Sequence, residues 1–211
     1  MDHRPVDDVP PPGASLQELV EAARHCRRCP LFAHATQTVF GEGPRNAEVV
    51  MIGEQPGDKE DLEGRPFIGP AGRMLDRGLR EAGIDRAQIY LTNAVKHFKN
   101  EPRGKKRLHK TPDMREVTIC SAWLQREIEA INPKLLVAMG ATAARALTGK
   151  AVPVGASRGH VLFLNGNRRA IITVHRSFLL RVPDETARAM EFRRFVSDLR
   201  LILREAPQVA L

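Results

Sequence analysis

Cysteine is scarce in this chain. Three among 211 residues is an odd count, too few for the disulfide framework of a small secreted domain, so metal or redox chemistry is the better reading of them. Aromatic residues are thin as well, at 5%, which leaves the packing of a core to Leu, Ile, Val and Ala. Long apolar runs are missing: no stretch approaches the roughly 20 residues a helix needs to cross a bilayer. The opening MDHRPVDDVPPPGAS puts acids and prolines where a secretion signal needs a basic start and an apolar run. Residues 1–14 are therefore expected to form a short disordered arm on a cytoplasmic protein.

What is present suffices for one domain. A hydrophobic content of 42% over this length can bury a single ordinary core. There is no internal repeat and no long linker, so residues 15–211 are expected to fold as one unit, and as a monomer. The formal charge of +8 and a sequence pI of about 9.9 suggest a polyanionic partner, nucleic acid being the commonest. A generally basic soluble enzyme fits the charge equally well.

Along the chain, apolar runs alternate with helical periodicity. Ser15-Leu16-Gln17-Glu18 has the capping-box pattern and should open a helix through about Arg24. Strands are expected at 48–53, 88–95, 134–139, 161–164 and 170–174. Helices are expected at 70–82, where Met74, Leu75, Leu79 and Ala82 share a face, at 113–131, at 140–147 and at 183–204. Between Lys96 and Lys110 the pattern stops: seven Lys or Arg, one Glu, and Pro and Gly breakers read as a surface loop. The alternation predicts an α/β fold, a three-layer α/β/α sandwich around a mainly parallel sheet. In such sheets ligands bind beyond the carboxyl ends of the strands, here in the loops beginning at Gly53, Asn93, Gly140 and His175.

Four short segments in or beside these loops carry chemistry. Gly53-Glu54-Gln55-Pro56-Gly57-Asp58 brings two carboxylates and ligand-tolerant glycines together, though alone it reads equally as a Gly/Pro turn with solvated acids. Phe67, within Arg65-Pro66-Phe67-Ile68-Gly69-Pro70-Ala71-Gly72, could stack on a flat ring or plug the core. Asn93, in Leu91-Thr92-Asn93, offers a donor and an acceptor that match a pyrimidine edge; capping a turn is its commoner use. In Thr173-Val174-His175-Arg176-Ser177-Phe178-Leu179-Leu180-Arg181, His175 could donate to a developing anion and Arg181 could hold a phosphate. Cys26-x-x-Cys29 could be a zinc half-site or a dithiol.

Taken together and in this order, the segments resemble the motif set of the uracil-DNA glycosylase superfamily, in its iron–sulfur branch, over most of the chain from Cys26 to Arg181. Lys105-Lys106-Arg107-Leu108-His109-Lys110 looks like the signature loop of the UdgX branch, whose members become covalently fixed to uracil-containing DNA. GEQPG in place of GEGPG, and His97 where relatives carry cysteine, point the same way. The resemblance implies a [4Fe–4S] cluster held by Cys26, Cys29, His97 and Cys120 in a structural role; the residues alone would also admit Zn²⁺. It implies that Phe67 stacks on a flipped uracil, that Asn93 reads its Watson–Crick edge, and that His175 and the backbone between Gly53 and Gln55 stabilise the departing base. Lys105, Lys106, Arg107 and Arg181 would grip phosphates. The imidazole of His109 would take the place of water at the sugar C1′, with Glu54 accepting its proton or orienting the ring and Asp58 binding water or positioning the sugar. Turnover without an adduct, as in the plain iron–sulfur glycosylases, and simple cluster-bearing binding of nucleic acid are the other two expectations. One departure stands out: Arg176 occupies the position after the pocket histidine, where the family has proline.

Overall fold

The computed structural model describes residues 9–104, 106–164 and 168–211, and of Arg176 the backbone only. Its strands are β1 (Val49–Gly53), β2 (Ile89–Asn93), β3 (Asn100–Arg103), β4 (Lys106–His109), β5 (Leu135–Met139), β6 (Val161–Phe163) and β7 (Arg169–Thr173). Its α-helices are α1 (Leu16–Ala23), α2 (Asp58–Glu63), α3 (Pro70–Ala82), α4 (Met114–Ile131), α5 (Ala141–Thr148), α6 (Val154–Ser157), α7 (Arg176–Arg181) and α8 (Glu185–Glu205). Five strands form one sheet in the order β2-β1-β5-β7-β6. All its pairings are parallel except that of β6, an antiparallel edge strand on β7.

The unbroken apolar runs of β1 and β5 follow from burial on both faces, and β2, equally buried, departs from them only at Thr92 and Asn93. Val49 and Met51 of β1 meet Leu75 and Leu79 of α3 and Phe195 and Leu199 of α8. The intervening Val50 and Ile52 meet Leu124 and Ile128 of α4 and Ala143 and Ala144 of α5. Three layers result, as the sequence led one to expect. A third apolar cluster lies to one side of the sheet and joins α1, α4 and the three cysteines. The ends of α1 and α4 are set by reciprocal capping boxes, Ser15 with Glu18 and Asp113 with Glu116.

Two expectations are corrected. Of the arm expected over 1–14, residues 1–8 lie outside the described residues, and residues 9–14 are not loose: Val9 and Ala14 pack on the third cluster, and Arg126 Nε donates to the Pro10 carbonyl at 3.1 Å. Proline-rich chain is already extended and loses little entropy on docking, so two small apolar contacts and one hydrogen bond can hold it. The segment 96–110 is not a featureless surface loop either. Lys96, His97 and Phe98 are buried, and β3 and β4 form an antiparallel hairpin with Asn100 opposite His109. Its turn includes Gly104 at φ +60°, where glycine carries no Cβ penalty. The hairpin was invisible to periodicity because both its strands are polar.

Candidate active site

The sheet order sets the four loops in a row. Gly53 pairs in register with Asn93 on one side of β1, β5 flanks the other, and β7 follows, so the loops run Asn93, Gly53, Gly140, His175 across the carboxyl edge. Ala94 N–H donates to the Gly53 carbonyl and Val95 N–H to the Glu54 carbonyl, which carries the β1–β2 pairing into the loops. Gly140 N–H bonds to the Thr173 carbonyl at 2.9 Å. Gly140 has φ +97°, and a β carbon there would lie 2.8 Å from that of His175. Only glycine lets the histidine loop close against the end of β5.

Asn93 is buried, and its Oδ1 has no hydrogen-bond partner among the described residues. Leaving such an acceptor dry costs about 1–3 kcal/mol. Phe67 is fully buried and packs into the α3/α8 core, with a left-handed φ of +61°. That conformation is rare for a bulky residue. Its carbonyl lies so close to Gly72 that a β carbon there would stand 1.8 Å away, so the glycine accommodates the kink. Glu60 is a buried carboxylate the sequence reading passed over. It accepts from Gly69 N–H at 3.1 Å and joins α2 to the start of α3, beside the Phe67 loop.

His109 closes β4 with a half-exposed side chain. Gln55, itself buried, holds it: Oε1 accepts from Lys99 N–H at 2.8 Å, while Nε2 donates to the Lys110 carbonyl at 2.8 Å and faces His109 Nε2 at 2.9 Å. Because Oε1 already faces an N–H, the amide presents its NH₂ to the imidazole. The His109 Nε2 is therefore an acceptor, and in the neutral ring the proton sits on Nδ1. Glu54 Oε1 lies 3.7 Å from the same nitrogen, outside hydrogen-bonding range, and its Oε2 accepts from Thr142 Oγ1 of α5 at 2.7 Å. Burial lowers the His109 pKa below its ordinary value. The Arg181 charge adds to this, and Glu54 and Glu60 oppose it. His175 caps α7, and its Nδ1 accepts from Ser177 N–H at 3.4 Å. A main-chain N–H can only donate, so the neutral ring carries its proton on Nε2. The backbone of Arg176 occupies the first helical position, where proline fits equally well; helix α7 forms without it.

The residues expected at phosphates divide. Arg107 is engaged inward: Nε donates to Asp58 Oδ1 at 2.7 Å, Nη1 to Asp61 Oδ2 at 2.6 Å and to Thr36 Oγ1 at 3.1 Å. Its guanidinium also sits 5.4 Å from the Phe98 ring centre. Asp58, expected at a water or the sugar, is thereby a clasp for the hairpin. Lys106 and Arg181 are exposed, and Lys105 lies outside the described residues. Asp58, Leu62, Lys106, Arg107 and Leu108 line a groove of about 520 Å³ between α2 and the hairpin.

Cys26, Cys29 and Cys120 are buried free thiols, near enough for charge on Cys26 or Cys29 to raise the pKa of Cys120. Desolvation is the larger cause and pushes that thiol up to about 12. Trp123 Nε1–H donates to Cys26 Sγ and Lys96 N–H to Cys120 Sγ, both at 3.2 Å. Burial pushes His97 down to about 4, leaving a neutral imidazole. Among the described residues no three His, Cys, Asp or Glu converge as ligands of one metal ion. A four-iron cluster makes a different demand, since each ligand reaches a different iron, and three thiols with one neutral imidazole supply suitable donors.

The family model for the uracil DNA glycosylase superfamily matches residues 40–200. The chain belongs to that superfamily. It is similar to a type-4 uracil-DNA glycosylase of Thermotoga maritima, 40% identical over 185 residues, 87% of this chain and 90% of that protein. A type-4 uracil-DNA glycosylase of Sulfurisphaera tokodaii is 39% identical over 127 residues, 60% of this chain and 54% of the relative. The match therefore spans about half the length of that second protein. A type-5 uracil-DNA glycosylase of Pyrobaculum aerophilum is 28% identical over 167 residues, 64% of this chain and 70% of its own.

Within this superfamily member, sequence reasoning missed Thr142, Glu60 and the buried pair Lys96–Glu127, 2.6 Å apart; Gly140 was expected only as the start of a ligand loop, not as the glycine that admits His175. The others carried no local signal: Glu127 falls in ordinary helical sequence, and Lys96 is the first of a run of cations.

Proposed function

We propose that this protein excises uracil from DNA, acting on single-stranded substrate or on a base flipped out of a duplex. The observation that carries the reading is the Oδ1 of Asn93 at the end of β2, buried and without a protein hydrogen-bond partner among the described residues. Uracil N3–H would satisfy it while O4 accepts from the same amide; cytosine presents the reverse pattern and would leave both groups mispaired. Phe67 would stack on the base. His175 Nε2–H and the backbone from Gly53 to Gln55 would meet the charge left on the departing ring, each such donor being worth about 3 kcal/mol. Lys106, which lines the groove along the hairpin, would hold a phosphate, as would Arg181 and Lys105.

Two fates of the sugar follow. The names of the curated relatives favour ordinary turnover, with water adding at C1′ to give an abasic site. The position of His109 supports capture. Its Nε2 lone pair is held at rest by the Gln55 amide 2.9 Å away, with Glu54 Oε1 3.7 Å from the same nitrogen. Once that hydrogen bond is given up, and as the C1′–N1 bond breaks with its electron pair leaving on the uracil anion, Nε2 bonds to C1′ and the Nδ1 proton is released to solvent. With the proton on Nδ1, Glu54 acts on the reacting side, stabilising positive charge on the sugar, rather than as the base that takes the ring proton. Thr142 fixes the other Glu54 oxygen.

Cys26, Cys29, His97 and Cys120 would hold a [4Fe–4S] cluster, which when bound ties α1, α4 and the loop after β2 together without meeting the substrate. Purification without chelators should yield about four irons and four sulfides per chain, and Cys120→Ser should lose iron and heat stability together. For the pocket, limiting protein is mixed with a uracil-containing oligonucleotide. Capture leaves one SDS- and heat-stable complex per protein, and His109→Ser abolishes that band while still releasing uracil. Turnover leaves no such band and abasic product in excess of protein. Asn93→Ala should depress both outcomes; undiminished release by that variant would remove the base-reading role.

A further inference from the structure

Lys96 belongs to none of the roles above, yet its side chain is completely enclosed, as is that of Glu127. Its Nζ donates to Glu127 Oε2 at 2.6 Å, to Thr92 Oγ1 at 2.7 Å and to the Asn93 main-chain carbonyl at 2.9 Å. An ammonium has three protons, and each is used. The Phe40 ring lies 5.0 Å away and shields the charge further. Glu127 is equally occupied, accepting from Tyr90 OH at 2.7 Å, Gly41 N–H at 3.0 Å and Thr92 Oγ1–H at 2.8 Å.

Cohesion alone does not explain such a pair. Desolvating two charges is expensive, and well-packed apolar replacements of buried pairs are often neutral or stabilising. What an apolar filler could not do is grip the carbonyl of Asn93. Tyr90, Thr92 and Asn93 all lie in the last four residues of β2, and the network holds all three where the chain leaves the sheet. The terminal torsion of an asparagine amide is broad and soft, so its aim depends on how firmly the main chain beneath it is fixed. The Lys96 backbone is itself anchored, its N–H to Cys120 Sγ and its carbonyl to Val39 N–H at 2.8 Å.

We infer that Lys96, held by Glu127, is a positioning residue for base discrimination: by clamping the Asn93 main chain it keeps the amide aimed so that only a base edge with a donor beside a carbonyl acceptor is accepted. The inference rests on the reading of Asn93 as the base-reading group, and the test separates the two. The charge-balanced double variant Lys96→Met/Glu127→Gln leaves no orphan ion. Its near-ultraviolet circular dichroism and melting temperature report folding. Release of uracil, and of cytosine from a matched oligonucleotide, is measured in single-turnover conditions for wild type and variant, along with equilibrium affinity for free uracil. The folded double variant should show uracil release at least tenfold slower, the uracil-over-cytosine ratio narrowed by at least tenfold, and weaker binding of free uracil. A purely structural pair would shift the melting temperature and leave that ratio unchanged; this result in a wild-type-like background overturns the inference alone. Wild-type protein without any uracil preference overturns the Asn93 reading and the inference with it. Should the double variant not fold, Thr92→Val removes one Nζ partner without touching a charge. It should narrow the ratio about threefold, and an unchanged ratio in that folded variant counts against the clamp.

Discussion

At the scale of single residues, the protonation of His109 decides whether its nitrogen can attack. Its pKa is lowered, first by burial and then by the Arg181 charge. A lowered value means the ring takes up its proton only at a pH below the ordinary 6.5 or so of free imidazole. Adduct formation should therefore be flat from pH 8 down to about 6.5 and fall only in more acidic buffer, as measured by SDS gel at fixed times. Arg181→Ala removes the depressing charge, so its inflection should move toward higher pH. An inflection well above 6.5 in the wild type would contradict the burial argument. Gln55 matters here for a reason its place in a Gly/Pro turn concealed. Its amide selects the ring nitrogen that keeps the lone pair, and it pins the strand that carries the ring.

The hairpin shows how an element without a core of its own is held. β3 and β4 are polar, and an isolated two-stranded ribbon is marginal in water. Arg107 supplies the missing attachment, but its two carboxylate partners are unequal: Asp61 is fully buried and Asp58 about half exposed. Removing one partner of a buried charged contact is costly, whereas an exposed pair contributes little. Asp61→Ala should cost about 3–5 kcal/mol, and Asp58→Ala under about 1 kcal/mol. Thermal melts of the two variants check the order, and hydrogen exchange across 99–110 checks that the loss is in the hairpin. Equal effects would mean that Arg107 is not the clasp. The same reasoning explains why Arg107 read as a phosphate contact in sequence: a cation in a basic run gives no sign that acids some fifty residues earlier will claim it.

For the whole molecule, the +8 formal charge predicts a salt-sensitive grip on single-stranded DNA. Each phosphate contact contributes about 0.7 to the slope of log affinity against log salt. Lys106→Ala and Arg181→Ala should each reduce the slope by about that amount and weaken uracil-containing and uracil-free strands alike, in fluorescence-anisotropy titrations. Arg107→Ala should leave the slope nearly unchanged, because its charge is already spent within the protein. The strand order does the remaining work at this scale. By inserting β1 between β2 and β5, and β7 beyond β5, it brings loops far apart in the chain to one edge.

The alternation of apolar runs with helical faces was enough to define the sheet, the flanking helices and the loops that matter, since burial on two faces or along one stripe leaves its mark in local spacing. Asn93 and the Cys26-x-x-Cys29 pair stood out in short segments of suggestive composition, whereas His109, Gln55 and Cys120 were named through the resemblance of the ordered motifs to a known family. The partners of those residues were decided only in three dimensions. Thr142 meets Glu54, Asp61 takes Arg107, and Glu127 buries Lys96 across 88, 46 and 31 residues of chain. Contacts at such separations are fixed by the packing of whole elements, and a charged or hydroxyl residue in a helix carries no local record of what it will face.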